Sequence, residues 1–303
     1  MDQLSPSLVT FLNSLILISL AVGLPFLVVG ILSIFNIKKS KNFQIYLYAF
    51  TSGLIIILGT VGLLGEGILT AKEALSATSL SPVVQTLEII GVILGGCIIG
   101  VGLVIFSRLI FTKFLNKKED LHHNHFEHNH QEFLFNPSDI DNKNIKWIPI
   151  ILLLLHRLLD GIVLGFLANT TTQSSLANFA NWGMIIVFII HLLPTTIIIY
   201  FVLLDIFNFK RFKAFLFSLI FIISIIPFVI IGSFFINGIN SVWWLLPFLY
   251  SISGVTTLLT SILEIIPEFI HYRNASLKKW ILITCTMAGG ALLSILLILI
   301  HSH

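Results

Sequence analysis

The stretch "LLHRLLDGIVLGFL", Leu154 to Leu167, places His156, Arg157 and Asp160 inside an almost unbroken apolar run. Insertion scales assign about 2.5–3.5 kcal/mol to an Asp or Arg at the centre of a membrane helix. Three ionisable residues so close together therefore need either a polar environment of their own or a task. The composition says that the surroundings are lipid. Of the 303 residues, 56% are hydrophobic and only 10% charged, with a mean hydropathy of +1.01. A soluble domain carries about 25% charged residues. No water-soluble fold covers this much apolar surface, so the expected class is an all-α polytopic membrane protein. The net charge of +3 then reports topology and implies no nucleic-acid partner. Cys97 and Cys285 both fall in apolar runs and read as small core residues rather than a disulfide or metal motif.

Working outward, apolar runs long enough to cross about 30 Å of hydrocarbon occupy roughly 8–36, 43–70, 83–112, 147–169, 182–206, 214–236, 242–270 and 279–301. Before Lys38 the only charge is Asp2, so the first run lacks the basic start of a cleavable signal and is expected to be a span. Trp147, Trp182, Trp243, Trp244 and Trp280 all stand at span starts, where an amphipathic ring prefers the headgroup level. Of 17 Lys and Arg, 15 lie around the odd-numbered connections; Lys72 and Arg157 are the exceptions. By the positive-inside rule those connections are cytoplasmic and both termini extracytoplasmic. The expectation is one transmembrane domain over 1–303 with a cytoplasmic loop at 113–146. The abundance of Ile, Phe, Asn and Lys suggests an AT-rich genome and a bacterial plasma membrane.

An internal repeat runs through these spans. "PFLVVG" (Pro25–Gly30) in span 1 matches "PFVIIG" (Pro227–Gly232) in span 6 at an offset of 202 residues. The same offset of 202 relates "LLGE" (Leu63–Glu66) in span 2 to "IIPE" (Ile265–Glu268) in span 7. Span 1 and span 6 cross in opposite directions. Spans 1–3 and 6–8 are therefore expected to be inverted repeats around spans 4 and 5, a design common among secondary transporters.

Chemistry concentrates on spans 4 and 5. His156 and Asp160 are four residues apart and share a helical face, where they could grip one cation. In "HLLPTT" on span 5, His191 precedes Pro194 and Thr195, and the proline can free a carbonyl to line a polar cavity. Imidazole plus carboxylate suits a borderline divalent ion such as zinc. The other reading is an Arg157–Asp160 ion pair, with both histidines satisfied by backbone carbonyls. Glu66 on span 2, and Glu264 and Glu268 on span 7, add carboxylates along a route through the membrane; Glu264 lies deepest of them. The third connection holds "HHNHFEHNH", with His122, His123, His125, His128 and His130 among polar residues that build no core. Such a tract captures transition metals weakly but readily.

Taken together, the eight spans, the His-rich loop after span 3, "HRLLDG" and "HLLPTT" resemble the ZIP (Zrt/Irt-like) family of divalent metal transporters. The family's span 4 pattern is similar to HNxx[DE]G and its span 5 pattern to HExPHE. "LEIIPE" and "LLGE" also look like its carboxylate-bearing stretches. His156, Asp160 and Gly161 match in span 4, but Arg157 stands where the family has Asn. His191 and Pro194 match in span 5, while Leu192, Thr195 and Thr196 replace Glu, His and Glu. Gly62 stands where many members carry His. The resemblance thus implies one metal site, His156, Asp160 and His191, with Thr195, carbonyls or water completing it. Arg157 would occupy the place of a second ion.

The resemblance implies a transporter that moves divalent transition metals, zinc foremost, toward the cytoplasm by alternating access. The metal is its substrate, no separate cofactor is expected, and the layout admits a homodimer in the bilayer. A metal sensor that does not transport, and an intramembrane metal-dependent hydrolase, stay open as alternatives. The hydrolase reading needs a free carboxylate as general base near the three ligands, and the sequence offers none beside them.

Overall fold

The computed structural model describes residues 6–35, 41–76, 78–116, 147–173, 180–205, 207–239, 242–265 and 276–301. The His-rich tract and Glu268 lie outside the described residues. Among those described there is no strand, and eight segments are long and apolar enough to cross a membrane. With no water in hydrocarbon to satisfy backbone groups, a helix that bonds its own N–H and C=O groups is the available form for each run.

Span 1 is α1 (Pro6–Ile34). Span 2 is α2 (Lys41–Ile57), which passes through a π-helical stretch, Leu58–Leu64, into α3 (Gly65–Ser76). Spans 3, 4 and 5 are α4 (Pro82–Asn116), α5 (Trp147–Gln173) and α6 (Ala180–Asp205). Span 6 is broken, as α7 (Arg211–Ile223) and α8 (Ile226–Ile239). The break falls just before Pro227, whose ring lacks an N–H and disfavours helix in the preceding residue. Span 7 is α9 (Leu245–Thr260), ending in a second π-helical stretch, Ser261–Ile265; span 8 is α10 (Leu277–His301).

The middle of α5, α6 and α9 is mostly buried, whereas α1, α4 and α10 turn most of their Leu, Ile and Phe side chains outward. In water that exterior would aggregate; against acyl chains it is the required surface. The buried histidines, Arg157 and Asp160 sit within, on α5 and α6, and α9 brings a run of buried Ser and Thr.

Helices that enclose polar groups must approach closely, and glycine permits it. On α5, a Cβ at Gly165 would lie 2.3 Å from the Val229 carbonyl oxygen of α8, and one at Gly232 would lie 2.2 Å from the Ile162 carbonyl oxygen. The α2–α10 pair closes in the same way at Gly53 and Gly290, and the α4–α9 pair at Gly96 and Gly100. Gly59, in the first π-helical stretch, and Gly254 of α9 meet backbone to backbone. Beside them Ser52 and Ser261 share a hydrogen bond of 3.2 Å.

Adjacent glycines on α10 give a test. A Cβ at Gly290 would lie 2.1 Å from the Phe50 carbonyl oxygen, whereas at Gly289 nothing lies within 4 Å. Gly290→Ala is expected to destabilise by about 1–3 kcal/mol, the usual range for overpacking. Gly289→Ala should leave thermal unfolding in detergent unchanged. Equal melting temperatures for the two variants would contradict this packing.

Candidate functional site

Because Gly161 and Gly165 turn one face of α5 against α8, another face carries His156 and Asp160 toward α6 and α9. His191 comes from α6, one turn before Pro194. All three residues are buried, with relative exposures of 3% for His156 and 0% for Asp160 and His191. They converge on one atom. Asp160 Oδ2 lies 3.1 Å from His156 Nε2 and 3.0 Å from His191 Nε2.

A fourth residue orients the group. Thr257 Oγ1 of α9 stands 3.1 Å from His156 Nδ1 and 2.6 Å from the Ser253 carbonyl oxygen. A hydroxyl has one proton, and the short contact to a carbonyl assigns it there. Thr257 then accepts from His156 Nδ1–H, which leaves Nε2 with a lone pair aimed at the Asp160 carboxylate. Two acceptors 3.1 Å apart repel each other unless a cation or proton lies between them. Among the described residues His156 Nε2 has no hydrogen-bond partner, and neither does the second Asp160 oxygen, Oδ1.

The chemistry suits a divalent ion. The three side chains each offer a ligand atom, all within 4.8 Å of one another. Ligand atoms on a tetrahedral zinc with bonds of ~2.0 Å sit about 3.3 Å apart, so small side-chain shifts would admit an ion. A fourth position remains for water or a carbonyl. Thr195, a candidate for that position, instead turns its hydroxyl to the His191 and Leu192 carbonyls of its own helix, at 3.1 and 3.0 Å.

Arg157 corrects the ion-pair reading. No salt bridge joins it to Asp160, whose carboxylate faces the imidazoles. Its Nη1 donates to Thr196 Oγ1 at 3.0 Å, and its Cζ lies 4.8 Å from the centre of the Phe221 ring. The histidines likewise meet side chains rather than backbone carbonyls. Glu66 is half-buried on α3, near Tyr250, and is not among the converging groups. Glu264 falls in the second π-helical stretch, and its side chain lies outside the described residues.

The sequence reading missed Thr257 and Ser253. A signal was present: Ser253, Thr257 and Ser261 recur every fourth residue, which puts a hydroxyl stripe on one face of span 7. Thr257→Val preserves shape and removes the acceptor. It should lower zinc affinity about 10–100-fold, as loss of a ligand's hydrogen-bond partner does. Thr260→Val, whose hydroxyl bonds only the Thr256 carbonyl, should not. Calorimetric titration would decide, and equal affinities would remove Thr257 from the site.

What the three side chains share has to be read from their own chemistry: no family model matches the chain, nor does any curated protein.

Proposed function

We propose that the chain is a divergent, ZIP-like secondary transporter that carries divalent transition metal ions, zinc foremost, across the bilayer toward the cytoplasm. One observation carries the reading. An imidazole nitrogen and a buried carboxylate oxygen face each other at 3.1 Å, with the His191 nitrogen 3.0 Å from the same oxygen, a set that can hold a cation between its members. Asp160 supplies charge, and His156 and His191 supply neutral donors. The inward direction rests on the ZIP resemblance, and the Lys and Arg distribution puts the His-rich loop on the cytoplasmic side, where it would receive the released ion.

The packing supports alternating access. Glycine contacts tie α2 to α10, α4 to α9, and α9 to the π-helical stretch of span 2. A separate set ties α5 to α8, with α1 packed beside both. His156 and Asp160 belong to α5, while Thr257 belongs to the other group, and α6, which carries His191, packs against helices of both. Sliding one group past the other would break the His156–Thr257 bond and loosen a ligand, which couples movement to release.

The inverted repeat belongs to the same reading. At the offset of 202 residues, 59–63 of the first π-helical stretch corresponds to the second, Ser261–Ile265. Pro25 corresponds to Pro227. Phe50, whose carbonyl faces Gly290, corresponds to Ile252, whose carbonyl faces Gly100. Span 2 against span 8 thus repeats as span 7 against span 3, which favours two halves of opposite sense.

Uptake of radiolabelled zinc into proteoliposomes tests the function, with lipid hydrolysis assayed alongside. Asp160→Asn should abolish uptake and lower zinc affinity at least about a hundredfold, ~2.8 kcal/mol. His156→Ala and His191→Ala should each weaken binding strongly. Metal binding without uptake would favour the sensor, and hydrolysis without uptake the enzyme. Full zinc affinity in Asp160→Asn would place the site elsewhere. Deleting residues 121–131 should leave basal uptake intact and alter it only at high metal load; complete loss with normal expression would contradict a buffering role.

A further inference from the structure

Arg157 is 2% exposed, and most of its hydrogen-bonding capacity is unused. A guanidinium carries five N–H donors in a fixed fork and stays charged. Nη1 donates to Thr196, but Nε and Nη2 have no partner among the described residues. Thr196 itself donates to the Leu192 carbonyl at 2.6 Å, so toward Arg157 it can only accept. Phe221 covers the guanidinium at 4.8 Å. One turn before Phe221, the hydroxyl of Ser218 is fully buried and also lacks a partner among the described residues. Asp160, the nearest carboxylate in sequence, is directed at the imidazoles.

Burying unmet donors is costly, and more so on a charged group. What is missing here is an acceptor for Nε and Nη2, and donors on a charged group favour one that bears negative charge. We propose that Arg157, with Thr196 at its edge, holds a small monovalent inorganic anion of the chloride class beside the His156–Asp160–His191 group, and that anion and metal bind cooperatively. The single fixed cation calls for a single negative charge. The Phe221 ring beside it favours a compact, weakly hydrated ion over a phosphate.

Cooperativity follows from the charges. With a divalent ion bound, Arg157 and Asp160 leave the group at two positive charges in low dielectric, and one anion halves that. Each ion therefore lowers the cost of binding the other, and such coupling is reciprocal. The coupling rests on the proposed metal reading; the anion site does not.

The test uses the full chain in nanodiscs, stripped of metal by chelator, and radiolabelled chloride at equilibrium. Saturable chloride binding is expected in the parent and in Asp160→Asn, weakened in Arg157→Lys and absent from Arg157→Gln. Melting curves and monodispersity confirm that each variant is folded. Zinc is then titrated in sodium chloride and in sodium gluconate at equal ionic strength. Zinc should bind several-fold tighter in chloride, and the difference should vanish in Arg157→Gln. Absence of saturable chloride binding, with water alone meeting the donors, overturns the site, as does unchanged binding in Arg157→Gln. Chloride binding that appears only in Glu264→Gln would assign the position to that carboxylate and overturn it too. Chloride binding without zinc binding in either salt would uphold the anion site and refute the metal reading.

Discussion

A carboxylate with no access to water must be neutralised locally, and at Asp160 the neutralising groups decide what the rest of the protein has to do. Two imidazole nitrogens crowd the same oxygen at 3.0 and 3.1 Å. Neutral imidazoles can donate at most one proton each to it, and the Thr257 contact has already spent that of His156. The group is thus incomplete in charge as well as in hydrogen bonds. An interior that tolerates this does so because the helices around it leave no easier arrangement.

That rigidity comes from the backbone rather than from side-chain volume. Where α5 meets α8 and where α2 meets α10, glycine lets carbonyl oxygens come within a distance that any Cβ would forbid. Lipid supplies no hydrophobic drive between helices, so such contact is a main source of association in the membrane. The π-helical stretches work the other way. Each departs from the regular ladder beside the crossing of span 2 on span 7, and Gly59 there lies 3.4 Å, measured from an ideal Cβ, from the side chain of Thr257. Irregular backbone inside a helix often marks a functional position. Here it adjoins the hydroxyl that orients His156.

The spans were legible because length and hydropathy set them almost alone, and the pairing of His156 with Asp160 because a helix fixes what lies four residues on. His191 could be joined to them only through the likeness of "HLLPTT" to a family pattern, since nothing local says which face of span 5 meets span 4. The break before Pro227 had a local cause that the apolar run concealed. The π-helical stretches had none: the first meets α9 at Gly59, a contact with another helix that spacing in one chain does not encode. Arg157 shows the same limit. Asp160 is its nearest carboxylate in sequence, yet the competing imidazoles hold that carboxylate and leave the guanidinium to Thr196 and Phe221.

A second metal ion and an arginine both bring positive charge to a site, but they do so differently. An ion can leave, and its ligands must then find protons or one another. A guanidinium is tethered, keeps its charge, and cannot be shed during a transport cycle. Set against the patterns it resembles, which carry Asn, Glu, His and Glu, this chain has Arg157, Leu192, Thr195 and Thr196: two carboxylates and a nitrogen ligand fewer, and one permanent cation more. That difference raises the net charge beside Asp160 by three when no metal is present. Such a site would repel a divalent ion more strongly than the resembled patterns would. Its carboxylate could still bind one if a mobile negative charge accompanied it, and the unmet donors of Arg157 are where that charge has a place to sit.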